Sequence, residues 1–163
     1  MNFSSPGLAS TTFAAGALFG KAAGVDIVHI PFRSAPDAIT AVIRGDVQLC
    51  FSPVNLVRDH AEAGKVRILA VATPRRVPEI PDVATFTEAG LPFVLDSWFG
   101  LMAPAAVPNP ILEKIDSSWG EASKSADVRA KLRAQFLIPE SDARGEMDKK
   151  MRREFEELRN VFN

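Results

Sequence analysis

The chain has 163 residues, 47% of them hydrophobic and 24% charged, which suits one soluble domain with a packed core and excludes collagen, a disordered tail and a coiled coil. Lys plus Arg is 19 against 20 Asp plus Glu, a net charge of −1, which argues against a protein that binds nucleic acid by neutralising phosphates. The single cysteine, Cys50, excludes an internal disulfide and argues against a cysteine-based metal site.

Met1 to Ser5 reads as a short strand. Ser10 to Gly24 reads as a helix, with Ser10 or Thr11 as N-cap and Gly24 as its stop. Its apolar stretch, Phe13 to Phe19, resembles a signal-peptide core, but the first basic residue, Lys21, follows the run instead of preceding it. The run also falls short of the about 20 apolar residues a membrane span needs, so a buried helix is expected. Asp26 to Phe32 is β-branched and apolar, a buried strand. Ser34-Ala35-Pro36-Asp37 is a capping box that opens a helix running to Gly45. Val47 to Phe51 is the next strand, Ser52-Pro53 opens a helix ending near Gly64, and Val66 to Ala72 reads as a fourth strand. Strand–helix–strand units of this length predict a parallel-rich α/β sheet flanked by helices.

After Thr73 prolines punctuate a loop, and Thr85-Phe86-Thr87-Glu88 is a capping box for a short helix ending at Gly90. Phe93 to Ala103 is expected to be extended, with Asp96-Ser97-Trp98-Phe99-Gly100 at its centre. The last third reads as helical, with apolar stripes at Ile111, Leu112, Ile115 and Trp119, at Val128, Leu132 and Phe136, and at Met147, Met151, Phe155, Leu158 and Phe162. Glu146 with Lys150 and Asp148 with Arg152 are i,i+4 pairs on the solvated face of the last helix.

In open α/β sheets ligands bind outside the carboxyl ends of the strands. Three loops qualify: Ser4 to Thr12, Phe32 to Ala35, and Phe51 to Asn55. All carry hydroxyls and lead into helix N-termini, whose unpaired N–H groups favour a carboxylate or phosphate. The first is the richest in Ser and Thr, although capping alone accounts for Ser10 or Thr11. It is not a nucleotide-binding P-loop, since Lys21 lies at the far end of the helix. Enzyme signals are weak. His29 falls inside an apolar strand, where a structural histidine is expected, His60 lies on a solvated run, and Cys50 reads as a buried inert thiol. No Gly-x-Ser-x-Gly or His-Glu-x-x-His motif occurs, and nothing in the chain requires a cofactor or a metal. A hydrolase would need His29 or His60 beside Ser5, Ser10 or Ser52.

Phe3-Ser4-Ser5-Pro6-Gly7 with Ser10-Thr11, Ala23 to Phe32, Gly45 to Phe51, Ala63 to Val71, Ile80 to Val83, Glu88 to Pro92 and Ser97 to Pro104 together resemble the substrate-binding proteins of tripartite tricarboxylate transporters, the Bug receptors. The resemblance is strong from Phe3 to Pro108 and looser afterwards. It implies a type II periplasmic-binding-protein fold, whose two α/β lobes close on a small carboxylate. This chain would supply the second lobe over 1–95, and over 96–163 a crossover and mostly helical return to the first lobe. The resemblance implies ligand contacts from Ser5, Gly7, Ser10, Thr11, Ser52 and Trp98, with Ser52 at a position that is often Asp in the family. It departs at Leu8, often polar there, and at Phe13, often His.

The resemblance implies a receptor and not an enzyme, working in the periplasm with the membrane subunits of the transporter. This chain starts where the family's second lobe starts, so it is expected to be truncated and to bind weakly or not at all. It carries no signal peptide of its own, so a natural start at Met1 would keep it in the cytoplasm. Other readings are a non-functional remnant, an assembly module associating through 96–163, and a small Ser-dependent hydrolase.

Overall fold

The structure, a computed structural model, describes residues 1–95, 97–138 and 144–162, without the side chains of 144, 145, 157, 158 and 160–162. Asp96 and the Leu158 and Phe162 side chains of the third stripe therefore lie outside the described residues. The chain forms two compact units that part between Ser97 and Trp98.

The first unit is built on a parallel sheet of β1 (Asn2–Ser5), β2 (Val28–Pro31) and β3 (Leu49–Cys50), in the order β2-β1-β3. Phe3 stands opposite His29 and Leu49. Alternation along β1 sends successive side chains to opposite faces. Phe3 faces α1 (Thr11–Ala23), and Ser4 donates from its Oγ to the Ala38 carbonyl of α2 (Ala35–Arg44) at 2.9 Å. Helices thus cover both faces of the central strand, as βα alternation predicts.

Small residues let α1 lie close to the sheet: Ala14, Ala15, Gly16 and Gly20 are all buried. A Cβ on Gly16 would overlap the ring of Phe3. Farther along the helix, Phe19 packs on Phe51, Phe86 and Phe93 with centroids 5.5, 5.6 and 6.4 Å apart, joining the sheet to the segment that follows it. The helix ends match the sequence pattern. Ser10 caps α1 by accepting the Phe13 N–H at 3.1 Å, Ser34 caps α2 through the Asp37 N–H at 3.2 Å, and Gly24 and Gly45 end them with φ of 64° and 80°. Helix α3 (Val54–Glu62) follows Pro53.

The expected fourth strand does not form among the described residues. Val66 to Ala70 is half-buried on alternate residues but has no ladder partner; only Val71 makes an isolated parallel bridge, to Thr85. Its alternating pattern reports one covered face and not a hydrogen-bonded neighbour. The strand expected over Val47 to Phe51 pairs only at Leu49 and Cys50. Thr85 and Glu88 do form a reciprocal capping box, at 2.8 and 3.1 Å, but the chain completes a turn and not a helix before Gly90, whose φ is 87°. Phe93 to Ala103 forms no ladder among its described residues, although Leu95 donates its N–H to the Ala72 carbonyl at 2.9 Å.

The second unit contains α4 (Asn109–Ala122), α5 (Ala126–Ala134) and most of α6 (Arg144–Phe162). The Trp98 indole N–H donates to Glu154 of α6 at 2.7 Å. Glu146 pairs with Lys149 at 2.7 Å, one turn away by i,i+3, and among the described residues no ion pair joins Glu146 to Lys150 or Asp148 to Arg152. Ile111, Ile115 and Trp119 lie exposed along α4 and, with Leu101, line an apolar groove of about 450 Å³. No described helix is long and apolar enough to cross a membrane.

Candidate functional site

The loop between β1 and α1 leaves the carboxyl end of the central strand. Gly7 takes a φ of 123°, open to glycine and strained for other residues. That conformation turns its carbonyl to Ser10, which donates its N–H at 3.1 Å and its hydroxyl at 2.7 Å. Thr12 Oγ1 lies 3.1 Å from Ser10 Oγ, and the Gly7 N–H donates to Ser5 Oγ at 3.2 Å. Ser5 Oγ in turn lies 2.7 Å from His29 Nε2. The loop is therefore closed by one continuous polar network that runs from Thr12 to His29.

His29 reaches Ser5 because both lie on the Phe3 side of the sheet. Residues i and i+2 of β1 share a face, and the parallel register sets His29 opposite Phe3. The imidazole stands between Phe3 and Phe13, with centroids 5.1 and 4.6 Å away. Burial among these rings lowers the His29 pKa, because it disfavours the cation. From the sequence alone His29 is expected to be a structural strand residue. The cue that locates it is the two-residue spacing of Phe3 and Ser5 combined with a β1–β2 register that only the folded sheet reveals.

Of the six residues singled out from the sequence, Ser5, Gly7, Ser10 and Thr11 come together in this loop. Ser5 is fully buried and its hydroxyl is engaged by His29 and Gly7, Ser10 is half-buried, and Thr11 is exposed at the first position of α1. The N–H groups of Thr11 and Thr12 find no acceptor among the described residues and form the free positive end of the helix. Ser52 follows β3, where its hydroxyl donates to its neighbour Pro53 at 3.4 Å. Trp98 belongs to the second unit, tied to α6 by its indole N–H.

A serine hydroxyl on an imidazole is the start of a nucleophile–base pair. Here Ser5 has no solvent exposure, and no acceptor holds Nδ1 of His29 among the described residues, so the pair lacks both access and an orienting third group. Cys50 is half-buried, and burial raises its thiol pKa. No cluster of three or more metal-ligating side chains occurs among the described residues.

A parallel sheet whose central strand feeds a hydroxyl-lined loop and a helix N-terminus is a build found in α/β proteins, with the loop at the carboxyl end of the strand. Comparison with known proteins narrows the class. Residues 1–148 match the model for the tripartite tricarboxylate transporter family receptor, and the chain belongs to that family. A relative from Pseudomonas sp. strain P51, a UPF0065 protein from the tcbD-tcbE intergenic region, is 32% identical over 130 residues, covering 78% of this chain and 39% of its own.

Among solved structures, Rhodopseudomonas palustris Rpa4515 with adipate is 26% identical with a TM-score of 0.87, over 99% of this chain and 54% of that one. MatC (Rpa3494) from the same species, with bound malate, is 29% identical with a TM-score of 0.81, over 100% of this chain and 57% of that one. The chain spans about half the length of these proteins. The expected α/β periplasmic-binding-protein fold thus holds over the matched residues.

Proposed function

We propose that this chain captures a small carboxylate for a tripartite tricarboxylate transporter and performs no chemistry on it. The observation that carries this reading is the first turn of α1, where two free N–H groups at Thr11 and Thr12 meet a loop lined by Ser5, Gly7 and Ser10. Free N–H groups of this kind stabilise an anion without adding a formal charge. The adipate and malate carried by two relatives support a dicarboxylate as the ligand class. Ser52 and Trp98 are proposed as further contacts.

In this reading residues 1–95 form the second lobe and 96–163 the crossover and return. Membership of the family supports a periplasmic location and docking to the transporter's membrane subunits. The test is a thermal shift with malate, adipate, succinate, citrate and benzoate, with phosphate as control. A ligand at 100 times its dissociation constant stabilises the native state by about 2.7 kcal/mol. A shift with one or two dicarboxylates and none with phosphate is the expected result. No shift with any acid overturns the reading.

The exposed Ile111, Ile115 and Trp119 favour a second reading, an assembly module that associates through 96–163. Sedimentation separates the two: a stable dimer lost on Ile115→Glu supports assembly, and a monomer at all concentrations removes it.

A further inference from the structure

The β1–α1 loop uses its hydroxyl protons internally, and its polar network ends at His29. Ser5, Ser10 and Thr12 carry one hydroxyl proton each. The Ser10 proton goes to the Gly7 carbonyl at 2.7 Å, a better partner than Ser5 Oγ at 3.5 Å. Thr12 then donates to Ser10 at 3.1 Å. Ser5 Oγ receives the Gly7 N–H at 3.2 Å, which leaves its own proton for His29 Nε2 at 2.7 Å. A neutral ring protonated on Nδ1 offers Nε2 as that acceptor.

We propose that His29 is a positioning residue for this loop: it holds the Ser5 hydroxyl inward, and by taking up a proton it re-aims the loop's donors toward an anion. The inference deepens the carboxylate reading given above and rests on it for the identity of the anion. Among the described residues the ring-contact and hydrogen-bond partners of His29 are Phe3 and Ser5 of β1 and Phe13 of α1, and none of them carries a charge. Burial alone therefore favours the neutral ring.

Protonation reverses the accounting. Nε2 becomes a donor, so Ser5 Oγ must accept from it and send its own proton elsewhere. The remaining acceptor is the Gly7 carbonyl at 3.4 Å, which Ser10 already occupies. Competition there releases the Ser10 hydroxyl, half-buried beside the free N–H groups of Thr11 and Thr12, to an anion at the mouth of the loop. The imidazolium adds a positive charge one hydrogen bond deeper. Proton and carboxylate then favour each other's binding by the same factor.

The experiment is an NMR titration of the full 163-residue chain between about pH 5 and pH 8. It follows the His29 ring nitrogens and the amides of Gly7, Ser10 and Phe13, with malate and adipate as probes. The expected result has three parts. Neutral His29 carries its proton on Nδ1. The loop amides titrate with the His29 midpoint in the wild type and stay flat in His29→Gln. Malate or adipate binds about tenfold more tightly on the acid side, the effect of one further hydroxyl donor to a carboxylate, and this gain is absent from His29→Gln.

Loop amides that ignore the His29 midpoint in the wild type overturn the proposal, whatever the variant does. Acids that bind equally across the range in both proteins also overturn it, and leave the carboxylate reading standing. Loop amides that follow His29 while neither acid perturbs them support the positioning role and sink the carboxylate reading instead.

Discussion

The ring of Phe3 occupies the space where a side chain at Gly16 would stand. Phe3 is 2% exposed on the central strand and Gly16 is buried in α1, so neither can yield without disturbing the helix–sheet contact. Gly16→Ala gains about 1 kcal/mol of helix preference and loses about 1–3 kcal/mol or more to overpacking. A net fall in melting temperature is expected, at about 2–4 °C for each kcal/mol lost in a chain of this length. The double variant with Phe3→Leu should recover part of that loss. Additive effects of the two changes would mean that the contact does not set the approach of α1.

Ser10 and Thr11 differ in what they do for α1, and two variants separate capping from capture. Ser10 accepts the Phe13 N–H, so Ser10→Ala should cost about 1 kcal/mol of stability. Thr11 is exposed and caps nothing, so Thr11→Ala should stay within about 0.5 kcal/mol of wild type in denaturant melts. Under the proposed function both variants should weaken malate binding. A Thr11→Ala protein with full affinity would remove the Thr11 hydroxyl from the ligand contacts and leave its N–H as the donor.

Glu88 ties three pieces of chain together. Its carboxylate accepts the Thr85 N–H at 2.8 Å and the Arg76 guanidinium at 2.9 and 3.1 Å, while Arg76 also holds the Pro81 carbonyl at 2.9 Å. The Thr85 backbone bond first, and Arg76 second, hold the Glu88 carboxyl below its ordinary value of 4.5. A depressed folded-state pKa contributes stability that is present above the unfolded value and lost as pH falls through the folded one. Melting curves of Glu88→Gln and wild type should therefore differ at neutral pH and converge in acid. A constant gap across the acid range would contradict this account.

These residues also show how far the sequence could be read. Ser10, Gly24, Ser34 and Gly45 mark helix ends through local chemistry, and the structure uses all four as caps. The Thr85–Glu88 box was equally legible as a hydrogen-bond pattern, but the number of turns that follow it was not. Val66 to Ala72 misled because a nearly continuous apolar run registers burial, whereas a strand also needs a neighbour. The Ser-rich loop was visible as a candidate anion site. The His29 contact to Ser5 was not, because it depends on a β1–β2 register that no stretch of sequence contains.

Cys50 gives a direct probe of the sheet. Burial raises its thiol pKa, so the reactive thiolate is scarce at neutral pH. Alkylation of the native chain should be slow and should reach the unfolded rate in denaturant. Fast native labelling would mean that β3 opens readily at its short ladder with β1.

Trp98 is the second unit's link to α6. Its indole N–H meets the Glu154 carboxylate at 2.7 Å, and its ring lies over the backbone of Gly100, where a Cβ would stand 3.1 Å from it. Trp98→Phe keeps an aromatic ring and removes the only hydrogen an indole can donate. A bond to a charged group contributes about 1.5–3 kcal/mol, less at this half-buried position, so a loss of about 1 kcal/mol is expected. The loss should fall on α6 and not on the sheet. Hydrogen exchange reads this directly: the described amides of α6 should exchange faster in the variant, while those of β1 and α1 keep their rates. Exchange that accelerates equally in α6 and β1 would mean that the two units unfold together, and that Trp98 supports the whole chain instead of one helix.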